Sequence, residues 1–211
     1  MRRFALALAA LLIAAAPANA LPRKLPPVDQ CAKDPSFVKF RAALKQAVAK
    51  KDREAFLKML SPKVLVNFGG ASGPEVFAAQ WDFDPDSHGI WDLLKTMLRM
   101  GCARSSGARV IPSLIVQLEP YADEDLFDAV VILPGAKLYK ETGVESSNPS
   151  TVPWTVAPVT SRPGDLVTGV RLPDGREGYI SDDDLYEPLG YRMVIEKLDG
   201  RWMITAFVAG D

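Results

Sequence analysis

Two Asp-Gly dipeptides, Asp174-Gly175 and Asp199-Gly200, each stand between β-prone runs, and they constrain the last third of the chain more than any other feature. Asp-Gly adopts the backbone twist of a tight hairpin, so residues 166–172 are expected to turn back into 177–180, and 191–197 into 202–208. A hairpin of two strands is not stable alone. The second one is therefore expected to pack back on the N-terminal half of the chain, which would make the β-rich segment before it an insertion.

The other end of the chain constrains its compartment. Arg2 and Arg3 precede an apolar run over residues 4–16, and Ala18-Asn19-Ala20 is a small-x-small cleavage signal, so residues 1–20 read as a secretory signal peptide. The run is shorter than the roughly 20 residues a bilayer requires. No other segment could span a membrane, so the exported product is expected in the periplasm or outside the cell. Losing Arg2 and Arg3 moves the net charge from −1 to −3, which argues against nucleic acid as a partner.

Two cysteines, Cys31 and Cys102, remain. In an oxidising compartment an even count is simplest as one disulfide. It would close a loop of about 70 residues, worth about 4 kcal/mol in the loop-entropy model, and would pin the proline-rich arm of residues 21–30.

Asp34-Pro35 places a capping carboxylate before a proline suited to a first helical turn, and Phe37, Phe40, Leu44, Ala47 and Val48 follow at helical spacing to about Lys51. Asp52 can cap a second helix carrying Phe56, Leu57 and Leu60, stopped by Ser61-Pro62. A short strand is expected over residues 64–68, and a third helix after Gly73-Pro74. The fourth helix is the best defined: Ile90, Leu93, Leu94 and Met97 hold one stripe, and Gly101 is placed to stop it. From Arg109 onward the runs are short and apolar, Leu114-Ile115-Val116 among them, and are broken by Pro112, Pro120, Pro134 and Gly135, so the second half is expected to be mostly β.

Within that half, Asp174-Gly175-Arg176-Glu177-Gly178, then Tyr179-Ile180 and the acidic turn ending in Asp184-Leu185, resemble the close of a bacterial SH3-like (SH3b) domain. The resemblance extends over residues 126–188, with 130–139 as the first strand and 150–158 after its long loop; Lys137-Leu138-Tyr139-Lys140 departs from the family's pattern there. It implies a small barrel with a ligand-binding face at Trp154, Tyr139 and Tyr179. The expected fold class is α+β: a signal peptide (1–20), a helix-rich N-terminal region (21–122), an SH3-like barrel (123–190) and a C-terminal hairpin (191–211).

Candidate chemistry is sparse. His88 is the sole histidine, and Ser87-His88-Gly89 with Gly101-Cys102-Ala103-Arg104 echoes pieces of the L,D-transpeptidase signature, which are contiguous in that family and separated by the fourth helix here. An enzyme using Cys102 and His88 is the alternative, but it requires an unpaired Cys31, and a capping or surface histidine is the better reading. Asp82-Phe83-Asp84-Pro85-Asp86 opens like a calcium loop, yet Ser87 stands where glycine is needed and Leu93 where a bidentate glutamate is needed, so no metal site is expected. Asp182-Asp183-Asp184 reads as a solvated turn. Trp81, Trp91 and Trp202 fall in core patterns, which leaves Trp154 as the tryptophan to test for ligand contact. No catalytic residue and no cofactor is assigned. The expectation is an exported binding module whose ligand is a peptide or peptidoglycan, with a structural or inhibitory partner of another envelope protein as a further alternative.

Overall fold

The computed structural model describes residues 24–87, 89–121, 126–143, 148–164 and 166–210. The signal segment 1–20 and His88 lie outside the described residues.

Helix α1 (Pro35–Ala49) begins where Asp34 Oδ1 accepts from the amides of Ser36 and Phe37, with Pro35 in its first turn. Asp52 caps the short α2 (Arg53–Leu57) in the same way, accepting from Ala55 N. Strand β1 (Leu60–Leu65) follows, then α3 (Pro74–Gln80) and α4 (Ile90–Arg99). The fourth helix buries Ile90, Trp91, Leu94 and Met97 on one side, as the 3–4 spacing requires. Gly101 then adopts φ +77, and a side chain there would collide with the Val28 carbonyl, so the arm can lie close along the chain only at a glycine.

Strands β2 (Ala103–Ser105) and β3 (Ala108–Ile111) form a hairpin, and α5 (Leu114–Leu118) comes next. Then come β4 (Ala129–Ile132), the short β5 (Lys137–Leu138) and β6 (Ser150–Thr151), β7 (Thr155–Ser161), β8 (Val167–Arg171), β9 (Glu177–Ser181) and β10 (Leu185–Tyr186). The chain ends in β11 (Arg192–Leu198) and β12 (Arg201–Val208), whose turn puts both Asp199 and Gly200 at positive φ.

The strands make two five-stranded sheets and a small ribbon. The first sheet has the order β1-β12-β11-β3-β2, so the terminal hairpin lies at its centre, parallel to β1 on one side and antiparallel to β3 on the other. Pro62 sits within β1, where the missing N–H is tolerated because β1 is an edge strand. The second sheet has the order β10-β4-β7-β8-β9 and is built wholly from residues between β3 and β11.

The SH3-like expectation is corrected here. The second sheet is open, its edges β9 and β10 are not paired with each other, and the expected first strand breaks after Ile132 into the separate β5. The Asp174-Gly175 turn and the acidic 3₁₀ turn at Asp182–Asp184 do form, but they report local turn chemistry, which many sheets share and which does not specify closure. The architecture is α+β, with helices against one open sheet and a second open sheet beside it.

Two hydrophobic cores result. The larger joins α1, α3, α4, the inner face of the first sheet (Met193, Ile195, Ile204, Phe207) and one face of the second (Ala129, Val131, Val156, Tyr186). An aromatic cluster centred on Phe77, Trp81, Tyr191 and Phe207 fills its middle, with Phe207 edge-on to Phe77 and Trp81 and stacked on Tyr191. The smaller core lies on the far face of the second sheet, around Val130, Ile132, Val170, Leu172 and Ile180.

The Cys31–Cys102 disulfide forms, with both residues in the larger core. It ties the arm to the start of β2, where Gln30 N donates to Cys102 O and Cys102 N to Val28 O, both at 2.8 Å.

Candidate functional site: an apolar groove behind the first sheet

Alternation along a strand sends successive side chains to opposite faces. In β11, Met193 and Ile195 enter the large core, so Arg192 and Val194 face the other way; in β3, Ile111 goes inward and Val110 outward. The helices cover only the inner face. Behind the outer face, α5 and the 3₁₀ turn at Leu126–Asp128 stand away from the strands and enclose a groove of ≈ 410 Å³.

Helix α5 is fixed by Ser113, which is fully buried: its Oγ donates to Met100 O (2.9 Å) and accepts from Val28 N (3.2 Å). Leu114 and Leu118 anchor the helix in the core, and Leu118 also reaches the groove beside Ile115, Val116 and Glu119. Leu189 and Gly210 bound another side and are joined by a 2.8 Å bond from Gly210 N to Leu189 O.

The lining is mostly aliphatic, with Val110, Ile115, Val116, Leu126 and Val194 prominent and Phe127 exposed beside them. Polar character is confined to Ser105, Glu119 and Arg192. The Arg192 guanidinium carbon lies 5.6 Å from the Phe68 ring centroid. Nearby, the Tyr186 hydroxyl donates to Tyr191 O; burial raises its pKa well above the usual phenol value, opposed by the Arg192 charge. Size, apolar lining and a few polar groups are the attributes of a small-ligand site.

The residues expected from the sequence to bind ligand do not gather. Tyr139 and Tyr179 do meet, through reciprocal 2.8 Å backbone bonds at the edge of β9, and Gly178 beside them has no room for a side chain against Tyr139 O. Trp154 packs against the large core, where it shares a depression of ≈ 110 Å³ with Pro27, Thr96, Met100 and Leu133, and neither tyrosine lines it. Its indole Nε1 is buried and has no hydrogen-bond partner among the described residues.

Other motifs have structural roles. Cys102 Sγ is held in the disulfide and fully buried, which leaves no thiolate there. Asp82 and Asp84 each accept the amide two residues on, bending the loop before α4, and Trp91 Nε1 donates to Phe83 O. Asp182 Oδ1 accepts from Thr168 Oγ1 at 2.7 Å, and Asp184 O accepts from Leu133 N, so the acidic turn stitches β4, β8 and β10 together. Trp202 Nε1 donates to Ser36 Oγ, fastening β12 to the start of α1.

The groove itself escaped the sequence reading because Leu114-Ile115-Val116 looked like a strand. A run this short is apolar in either conformation. No local signal decides it, since Ser113 before the run has helical backbone angles and spends its Oγ on Met100 O and Val28 N and not on a helix cap.

No family model matches the chain, and no curated protein matches it. Among solved structures it is similar to an NTF-2-like protein of unknown function from Shewanella oneidensis MR-1, at 15% identity and a TM-score of 0.30, covering 83% of this chain and 97% of that one. It is also similar to a protein of unknown function with a cystatin-like fold from Nostoc punctiforme PCC 73102, at 10% identity and a TM-score of 0.28, covering 82% and 86%.

Proposed function

We propose that the chain is an exported binding protein of the cell envelope, without a catalytic role, that takes an apolar stretch of a peptide into the groove between β3, β11 and α5. The observation that carries this reading is the groove's lining, with mostly aliphatic side chains, one aromatic ring at Phe127 and three polar groups, Ser105, Glu119 and Arg192. That chemistry suits aliphatic side chains flanked by polar backbone. A glycan would need more hydrogen-bonding groups than these three. A buried disulfide between distant cysteines fits an oxidising compartment and so supports export.

Titration with an environment-sensitive apolar fluorophore, followed by competition with aliphatic peptides, tests the reading. Saturable binding displaced by peptide is expected for the mature protein. Val194→Glu puts a charge on the groove floor and should abolish binding with an unchanged far-UV spectrum; binding unaltered by that change, or absent from the native protein, removes the proposal. Export predicts a mature polypeptide beginning at Leu21, which mass spectrometry of the periplasmic fraction checks.

A further inference from the structure

A second site lies at the same edge of the first sheet, on the opposite face. Arg104 and Arg109 are direct cross-strand partners on β2 and β3. Like charges placed so disfavour a sheet. Their face is the one turned to α1: the Arg109 guanidinium carbon is 5.0 Å from the Trp202 ring centroid and 5.9 Å from that of Phe37. Arg109 is only 7% exposed. Its Nη2 donates to Asp34 Oδ2 (3.0 Å) and Nη1 to the carbonyls of Gly107 and Ala108, while Nε is buried with no acceptor among the described residues.

Three cations, Lys33, Arg104 and Arg109, therefore share with one carboxylate, Asp34, a depression of ≈ 290 Å³ that Gln30 and Pro35 complete. Asp34 is already committed, since Oδ1 caps α1 and takes the Ser36 hydroxyl while Oδ2 holds Arg109. Among the described residues, no carboxylate pairs with Lys33 or Arg104. The two walls, residues 30–35 and 104–109, are held in place by the disulfide and by the 3.0 Å bond from Arg104 N to Gln30 Oε1, so a ligand would meet a site that needs little ordering.

We propose that this depression binds a small oxyanion, a phosphate or a carboxylate, between Arg104 and Lys33, which relieves the repulsion between the cross-strand arginines. The chain's net charge is −1, so the attraction is local to these three cations. The site is independent of the apolar groove, because Ser105 and Val110, the strand neighbours of Arg104 and Arg109, face the other way.

Titrating the disulfide-intact protein with inorganic phosphate, and separately with acetate, at constant ionic strength and with amide chemical shifts as readout, decides it. Saturation by either anion, with shifts centred on residues 30–35 and 104–109, supports the site; whichever anion saturates at lower concentration identifies the source. Arg104 is exposed, so Arg104→Gln should keep the fold and weaken binding at least tenfold, and Lys33→Gln should weaken it in the same sense. No saturation by either anion, or native affinity in both variants, overturns the proposal.

Discussion

The two sheets have equal strand counts and treat their faces differently. In the second, the inner strand β4 sends Ala129 and Val131 into the large core and Val130 and Ile132 into the small one, so both faces are packed along that strand. In the first, β11 sends Met193 and Ile195 inward but leaves Arg192 and Val194 to line a groove. A strand packed on both faces leaves no space for a ligand. Open space remains where helices cover one face and only the short α5 and a 3₁₀ turn stand off the other. The shorter route to a site is thus through the sheet assembled from the two ends of the chain.

The comparison can be broken first at Phe207, which is fully buried against three aromatic rings. Phe207→Ala should cost about 3–5 kcal/mol in urea denaturation. A cost below about 1 kcal/mol would mean that the first sheet does not anchor the larger core. In the smaller core, Ile180→Val should cost about 0.5–1.5 kcal/mol and leave a single transition, because the same sheet's other face belongs to the large core. Two separated transitions would show that the second sheet folds apart from the first.

A pH-dependent effect is expected at Asp34. Its hydrogen bonds from Ser36 and Phe37, with Arg109 beside them, hold its pKa below the ordinary value of 3.8. A depressed folded pKa adds stability that is present above the unfolded value and lost as pH falls through the folded one. Asp34→Asn should therefore be less stable than the native protein at neutral pH, with the gap closing below about pH 4. A gap independent of pH would show that capping alone matters. The smallest effect is on the exposed strand pair of the second sheet: Arg171→Ala, which removes the ion pair to Glu177, should change stability by less than about 1 kcal/mol.

Features with local causes were legible in the sequence. Asp34-Pro35 and Asp52 start helices, the stripe from Ile90 to Met97 faces the core, and both Asp-Gly turns form with Gly175 and Gly200 at positive φ. The Cys31–Cys102 bridge followed from an even cysteine count read together with the expectation of an oxidising compartment. Features that depend on distant pairing were not legible. The acidic turn suggested a closed barrel, but β9 and β10 are opposite edges of an open sheet, and pairing between distant strands is not encoded by a local turn motif. The strand expected at 64–68 instead spans Leu60–Leu65, because pairing with β12 carries it through Pro62. The groove needs α5 to be helical, a property that three apolar residues cannot declare.

The central claim, that binding occurs behind the first sheet and not on the second, is tested most directly by methyl chemical shifts during titration with an aliphatic peptide. The account predicts saturable perturbation of Val110, Ile115, Val116 and Val194, with Val170, Leu172 and Ile180 unmoved. Perturbation confined to the second sheet's methyls, or to the surroundings of Trp154, would contradict it.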